Sequence, residues 1–364
     1  MNRRQLLIGG GGAVAALGGG AYLAAKAMGT TSDYCEGNAA LRRPLADTPS
    51  SRDLIRYATL APNGHNTQPW MFRVADRRID ILPDLTRRTP VVDPDDHHVF
   101  VSLGAAAENL SLASAARGLP GTIAFDPALG GSVVFRWEPG RAHASALFDA
   151  IPKRQSTRAD YDGRSVSSAD LHRLTEAALM PGVEMVLLTD KPRLERLREL
   201  VIEGNGAQMT DPAFMRELRA WLRFNPHQAL RTGDGLYSAA TGNPAMPDWL
   251  GPRAFDLLTT AKSENEKYSS QIRSSSGIAV FSGARADPAH WVAVGQACQR
   301  FSLQATALGL KHAYLNQPVE VAVLRPELAS LIGMPDRRPD IVMRFGHGAD
   351  LPFSARRPAR VMIA

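Results

Sequence analysis

One loop of the chain concentrates side chains that can recognise the edge of a flat heterocyclic ring. The segment Ala61-Pro62-Asn63-Gly64-His65-Asn66-Thr67-Gln68-Pro69-Trp70 is crowded with amide and imidazole groups. Asn66 and Gln68 each present a donor and an acceptor on a planar amide. The alternative interpretation is a helix-to-strand turn, in which Pro62 ends the helix and Gly64 takes a positive φ.

A basic segment further along the chain could bind an anion. Lys153, Arg154 and Arg158 lie within six residues of one another, with two hydroxyl side chains between the arginines. Arginine is suited to bidentate hydrogen bonding with a phosphate group. A basic turn of this kind is also common as solvated surface, and the residue types alone favour that alternative.

The loop resembles one found in the FMN-dependent nitroreductases, where a Pro-Ser-x-x-Asn-x-Gln-Pro-Trp pattern lies against the flavin. It is most similar to the loop of the Acg-like members, which carry two halves in one chain and have His-Asn-Thr-Gln-Pro-Trp. Asn63 departs from the serine of the common pattern. The resemblance extends from about residue 50 to the C-terminus. It implies an FMN cofactor contacted by Pro62, Asn63, Gly64, His65, Asn66 and Gln68, with Asn66 at the ring.

The basic segment resembles the Arg-x-Ser-x-Arg motif that opens the nitroreductase domain and holds FMN, here Arg154-x-Ser156-x-Arg158. In the family's homodimers, each flavin lies between the basic motif of one subunit and the loop of the other. This chain has the loop in its first half and the motif at the start of its second. The matching turn of the second half, residues 178–185, lacks the polar loop. The resemblance therefore implies one FMN site per chain, in a fused pseudo-dimer.

Two later positions are similar to flavin contacts of the family. Asn316 matches a late flavin-edge position, and Arg356 matches a C-terminal basic residue that reaches the phosphate. The family's central amide contact to the ring has no clear counterpart here. His97, His98 and His347 lack metal-ligand spacing, so we interpret them as structural and predict no metal site. Two cysteines, Cys35 and Cys298, provide neither a disulfide framework nor a zinc site.

The elements around the loop follow from the hydrophobic pattern. A helix over residues 53–60 stops at Pro62, and the alternating run at 70–74 predicts a strand. Further strands are predicted at residues 78–82, 276–281 and 341–346.

A long alanine-rich helix has a counterpart later in the chain. The helix is predicted at His98–Leu119, and its residues Val99–Leu119 align without gaps with His290–Leu310 at an offset of 191 residues, which matches Gly104 with Gly295. Alanine-rich helices match one another easily by chance, but the shared glycines favour an internal repeat. Small residues at helical spacing predict that the two helices pack closely, as at a dimer interface.

The second half contains extra residues between its turn and its long helix. Pro62 and Pro181 are offset by 119 residues, against 191 for the helices, so about 72 additional residues are expected at 203–275. Aromatic residues in this insert fit either a packed helical excursion or a lid over the flavin.

The N-terminus has the pattern of a twin-arginine signal peptide over residues 1–27. Arg3-Arg4 precedes an apolar run from Ile8 to Ala25, followed by small residues at a cleavage site. The alternative is an uncleaved membrane anchor. We predict a linker at 28–50 and export to the periplasm or cell envelope through the twin-arginine machinery.

The resemblance implies an α+β fold, and the weak net charge argues against nucleic-acid binding. Of 42 basic residues three lie in residues 1–27, so the remainder carries 39 basic and 36 acidic side chains, a formal charge of only +3. We predict nitroreductase-like halves at 51–150 and 151–364, with central helices and flanking sheets, in a monomer.

The predicted function is an exported FMN-binding oxidoreductase that reduces nitro compounds or quinones. NAD(P)H is scarce outside the cytoplasm, which leaves the electron donor open. The alternative is a flavin-binding or flavin-sequestering protein with little turnover.

Overall fold

Two four-stranded antiparallel sheets dominate the computed structural model, which describes residues 27–363. The first contains β1 (Trp70–Ala75), β2 (Arg78–Pro83), β3 (Gly121–Asp126) and β4 (Ser132–Trp137), in the order β1-β2-β4-β3. A small parallel pair consists of β6 (Leu222–Arg223) and β7 (Leu236–Tyr237). The second large sheet has the order β5-β8-β10-β9, with β5 (Val183–Leu188), β8 (Gly277–Gly283), β9 (Lys311–Tyr314) and β10 (Ile341–Gly346).

Helices connect and cover these strands, and together they confirm the α+β class. In the part of the chain before the second sheet they are α1 (Thr31–Leu41), α2 (Ser51–Ala58), α3 (His97–Ala115), α4 (Ala146–Ala150) and α5 (Ser168–Ala177). Those that follow β5 are α6 (Lys191–Thr210), α7 (Pro212–Ala220), α8 (Pro226–Thr232), α9 (Gly251–Leu258), α10 (Ala261–Arg273), α11 (Pro288–Ala307), α12 (Gln317–Glu320) and α13 (Arg325–Leu331).

The two halves repeat one order of elements. The first half runs α2-β1-β2-α3-β3-β4, and the second runs α5-β5-β8-α11-β9-β10 with an insert between β5 and β8. The strand orders of the two sheets match under the same correspondence, and the neighbouring strands are antiparallel in both.

The central helices α3 and α11 pack against each other through reciprocal glycines. A Cβ atom on Gly104 would lie 2.0 Å from the carbonyl oxygen of Val292, and one on Gly295 would lie 2.0 Å from that of Val101. These are the residues that the offset of 191 pairs with one another. The predicted close approach of the two helices is confirmed, because only a residue without a side chain fits either contact.

Acidic side chains hold the first turns of both central helices. Asp287 precedes Pro288 of α11, and its carboxylate accepts a hydrogen bond from the backbone of His290 at 3.0 Å. At α3 the acceptor is Asp93, whose two oxygens receive the backbone N–H groups of His98 and Val99, at 3.0 and 3.2 Å. These caps orient the helices whose sides face the candidate site.

The insert occupies residues 189–276, and therefore begins earlier than the predicted 203. The boundary moves because α6 runs without interruption from Lys191 to Thr210. In the first half, β1 and β2 are joined by Asp76-Arg77 alone. The extra residues are thus inserted between β5 and β8, two adjacent antiparallel strands of the second sheet.

The prediction of a linker at 28–50 is wrong. Residues 31–41 form α1, and Tyr34 is fully buried, with its hydroxyl donating to the carbonyl of Phe353 at 2.6 Å. Its ring lies 4.4 Å from that of Tyr237, centroid to centroid. Tyr34 and Asn38 are the buried residues of this helix, and one of them is polar, so no periodic apolar pattern marks it.

The predicted signal peptide lies outside the described residues except for its last position. No helix within residues 27–363 is long and apolar enough to cross a membrane.

Candidate functional site

The polar loop is a strained turn. Its backbone φ is positive at His65, Asn66 and Gln68, with values of 46°, 54° and 55°. Such angles are uncommon for residues other than glycine and cost about 1–3 kcal/mol each. Gly64, expected to take a positive φ, does not do so. The surrounding structure must therefore stabilise a conformation that the loop would not adopt alone.

Hydrogen bonds from distant segments hold this conformation. Asn63 accepts a hydrogen bond from the backbone N–H of Gln68 at 2.7 Å. The Gln68 side chain donates to the carbonyl of Gly233 in the insert at 2.8 Å and accepts from the backbone of Arg357 at 2.9 Å. The insert and the C-terminal segment therefore clamp the loop from two sides.

Asn66 has a structural position instead of the predicted contact with the ring. Its Nδ2 donates to the carbonyls of Gly235 and Ala355, both at 3.0 Å, and its Oδ1 accepts from Nη1 of Arg356 at 2.8 Å. Neither Asn66 nor Gln68 lines the cavity described below. The prediction for both side chains is corrected, because their amides are already used in fixing the loop.

A cavity of about 520 Å³ lies where the two halves and the insert meet. Its volume is within the range of roughly 300–1,000 Å³ typical of small-molecule sites. The loop contributes Pro62, Asn63, Gly64 and His65, and both central helices reach the wall through residues such as Val101 and Cys298. Most of the large apolar lining residues come from the insert; they are Met209, Phe214, Leu218, Leu222, Phe224, Leu236, Met246, Phe255 and Leu258.

Arg158 supplies an unpaired cation at this cavity. The residue is partly buried, and its guanidinium makes no hydrogen bond or ion pair with any residue in the range 27–363. Burial lowers its pKa from the usual value for arginine. The side chain is therefore free to bind an anionic or strongly polar group of a ligand.

The neighbouring imidazoles are neutral at pH 7. Burial is the main cause that lowers the pKa of His65 to about 4, and the charge of Arg158 adds to the effect. Burial also lowers the pKa of His98 and raises that of Glu320, which accepts a hydrogen bond from Gln208 at 2.6 Å. Arg158 thus lies in a wall where burial favours the neutral forms of His65, His98 and Glu320.

The remaining predicted residues divide between the cavity and the region behind the loop. Asn316 lines the cavity, and its Oδ1 accepts from the backbone of Val342 at 3.0 Å. Arg154, Ser156 and Arg356 do not line it. Arg154 donates to the carbonyl of Leu60 at 3.0 Å, directly before the loop. The structure therefore separates the two arginines of the basic motif: Arg158 faces the cavity and Arg154 faces the back of the loop.

Sequence reasoning missed part of the wall. His98, interpreted as structural, lines the cavity together with Tyr268 and Tyr314. The available signal was the position of His98 at the start of a repeated helix, beside the predicted interface. The insert's apolar residues could not be assigned, because no periodic pattern shows which side chains of short helices turn inward.

A cluster of potential metal ligands has a different role. The ligand atoms of Asp93, His97 and His98 lie within 4.8 Å of one another. Both oxygens of Asp93 accept backbone hydrogen bonds at the start of α3, and Nε2 of His97 lies 3.0 Å from Oδ1 of Asp340. These contacts assign the cluster to holding the helix terminus.

Known proteins resemble this chain over most of its length. Rv3131, a proposed NAD(P)H nitroreductase of Mycobacterium tuberculosis, is 26% identical over 340 residues, covering 88% of this chain and 93% of the relative. Another proposed NAD(P)H nitroreductase of the same organism, acg, is 24% identical over 332 residues, with coverages of 86% and 96%.

Solved nitroreductases show weaker similarity. A Desulfitobacterium hafniense nitroreductase with bound FMN has a TM-score of 0.38 at 16% identity, covering 59% of this chain and 96% of that one. NfnB of Mycobacterium smegmatis, solved with NADPH, has a TM-score of 0.38 at 13% identity, with coverages of 56% and 88%. The model of the nitroreductase family matches residues 151–348, which is more than half of the chain. The protein therefore belongs to the nitroreductase family and is an oxidoreductase, as the loop and the basic motif predicted.

Proposed function

We propose that the chain binds one FMN and uses it to reduce small nitro compounds or quinones. The observation that carries this proposal is the meeting of the polar loop and the unpaired guanidinium of Arg158 at a cavity between the halves. Relatives named as NAD(P)H nitroreductases and family members solved with bound FMN support it.

The residues present fit an FMN molecule. Pro62, Asn63, His65 and Arg158 would hold the ring end in the cavity. Arg154 would serve the phosphate end, since its Nε and Nη1 atoms are buried and have no partner among the described residues. Bound flavin supplies two-electron redox chemistry, and a nearby cation stabilises its anionic reduced form. The apolar insert excludes water, and neutral His65 can donate or accept one hydrogen bond.

A fused pseudo-dimer would allow a single chain to complete this site. The shared strand order of the two sheets and the reciprocal contacts of Gly104 and Gly295 support such an origin. Because one loop and one basic motif are present, a monomer would hold one flavin where a homodimer of the family holds two.

We expect one FMN per chain. Flavin released from the purified protein by denaturation should match the protein concentration one to one. A ratio near two would contradict the pseudo-dimer with one site, and colourless protein that binds no added FMN would contradict the proposed cofactor.

A second function, flavin binding with little turnover, is favoured by the insert that covers the cavity. Anaerobic mixing with NADPH separates the two. Loss of the oxidised flavin absorbance, restored by adding a quinone or a nitro compound, supports the reductase. An unchanged flavin spectrum with both NADPH and NADH, together with flavin retention, supports sequestration.

We also propose that the protein is exported through the twin-arginine pathway, because Arg3-Arg4 precedes an apolar run. This route exports folded proteins and suits one that acquires its cofactor before export. Replacing both arginines by lysine should retain the protein in the cytoplasm. Unchanged periplasmic or envelope recovery of that variant would show that the arginine pair has no role in export.

A further inference from the structure

Three guanidinium groups converge behind the loop without a balancing carboxylate. They belong to Arg42, Arg154 and Arg356, and none of them forms an ion pair with an acidic residue in the described part of the chain. Arg154 and Arg356 both donate to the carbonyl of Leu60, at 3.0 and 3.4 Å, and Arg42 lies over the ring of Phe353, three residues before Arg356. Burial, followed by the charge of Arg154, lowers the pKa of Arg42 to about 9. Burial lowers the pKa of Arg356 well below its usual value, and the charges of Arg42 and Arg154 contribute. Arg154 and Arg356 are buried and Arg42 is partly buried, and cations grouped away from solvent are unfavourable unless an anion joins them.

The three side chains differ in how many donors they have left. Arg356 is saturated: it donates to the carbonyls of Thr59 at 2.7 Å and Ala61 at 3.0 Å, and to Oδ1 of Asn66 at 2.8 Å. Its role is therefore to connect the C-terminal segment to the loop, and the prediction that it reaches the phosphate is corrected.

Arg42 and Arg154 retain free donors. Nε and Nη1 of each side chain are buried and lack a hydrogen-bond partner among residues 27–363. Within the described residues, the Arg154 side chain donates one hydrogen bond, from Nη2 to the carbonyl of Leu60. The guanidinium of Arg42 stacks on the ring of Phe353 at 4.0 Å, which orients it without using its N–H groups. Four buried, unpaired N–H-bearing atoms on two cations require an acceptor with several oxygens and negative charge.

We propose that Arg42 and Arg154 together bind the phosphate of FMN, so that the N-terminal segment is part of the cofactor site. This inference rests on the proposed function and adds a residue outside the resemblance to the family. A phosphate monoester offers three oxygens and close to two negative charges, which matches the free donors and the uncompensated charge.

Docking of the N-terminal helix is coupled to this contact. Arg42 directly follows α1. Phe353 contacts both ends of this segment: its ring stacks under Arg42, and its carbonyl accepts the hydrogen bond from Tyr34. Met28, before α1, accepts a hydrogen bond from the backbone of His227 in the insert at 2.8 Å. Phosphate binding at Arg42 therefore stabilises the docked helix, and the docked helix in turn presents Arg42.

A pair of adjacent arginines provides a matched experiment. Arg42→Gln removes the proposed phosphate contact, while Arg43→Gln removes an exposed charge that only approaches Asp53 at 3.5 Å. Full-length protein freed of flavin is titrated with FMN and with riboflavin, which lacks the phosphate. We expect Arg42→Gln to weaken FMN binding roughly ten- to hundredfold and to leave riboflavin binding unchanged. Arg43→Gln should bind both flavins as the wild type does.

Hydrogen exchange of α1 gives a second readout, independent of activity. In the wild type FMN should slow exchange of residues 31–42 more than riboflavin does, and in Arg42→Gln this difference should disappear. If the wild type binds FMN and Arg42→Gln binds it equally well, the inference is wrong and the proposed function stands. An equal loss of both flavins in Arg42→Gln would also overturn it, because the role would then be structural. If the wild type binds neither flavin, the proposed function itself fails.

Discussion

Replacing Gly104 by alanine is expected to lower the free energy of unfolding by about 3 kcal/mol or more. The added methyl carbon would lie 2.0 Å from the carbonyl oxygen, 2.8 Å from the carbonyl carbon and 2.9 Å from the Cα of Val292. These are backbone atoms of a facing helix, which cannot rotate away as a side chain would. Overpacking of this kind commonly costs about 1–3 kcal/mol, and here it must separate the two central helices.

Urea unfolding followed by circular dichroism measures the effect, and Gly206→Ala is the matched control. Gly206 also lies within a helix, α6, and an added Cβ would meet no atom within 4 Å. We expect that substitution to be neutral or to stabilise by up to about 1 kcal/mol, because alanine is the better helix former. If Gly104→Ala is as stable as Gly206→Ala, the helices do not approach as closely as the structure shows.

The reciprocal contact allows an internal check. Gly295→Ala would direct its methyl group at the carbonyl oxygen of Val101, again at 2.0 Å, so a similar loss is expected. Gly295 also lines the cavity. Flavin affinity should therefore fall in this variant as well. If only one of the two glycine variants loses stability, the reciprocal packing is contradicted.

Removing the carboxylate of Asp234 is expected to destabilise the fold by about 3–5 kcal/mol. Asp234 lies between two arginines: Arg223 donates to its Oδ1 from Nη2 at 2.7 Å and from Nε at 3.2 Å, while Arg87 contacts its Oδ2. The aspartate and both arginines are largely shielded from solvent. Asp234→Ala would leave two uncompensated cations, and breaking a buried pair in this way is costly.

The same substitution should loosen the loop, since the carbonyls on either side of Asp234 hold Gln68 and Asn66. Urea unfolding and an FMN titration of Asp234→Ala together test this coupling. The control is Asp256→Ala, whose partner Arg219 lies at 2.6 Å on the surface, with both side chains about half exposed. An exposed pair contributes only about 0–1 kcal/mol. Equal stability of the two variants would show that Asp234 does not anchor the insert.

The amino-acid sequence by itself determined the local elements and the relation between the halves. The helix before the loop ends at Ala58, two residues before the predicted end, the alternating residues after the loop form β1, and the matched glycines of α3 and α11 meet as the offset of 191 predicted. These features depend on short-range sterics and on a pattern repeated within the chain, both of which are visible without coordinates. Membership of the nitroreductase family likewise followed from two short motifs.

The tertiary structure decided which way the site residues face. The amide of Asn66 could have met a ligand, but its partners Gly235, Ala355 and Arg356 lie far along the chain and take all of its hydrogen bonds. Arg42 belongs to a segment predicted as a linker, but in the folded protein its guanidinium stacks on Phe353 and is affected by the charge of Arg154. A polar group chooses among partners by proximity and desolvation in the folded state, and neither is encoded in the residue types that surround it in sequence.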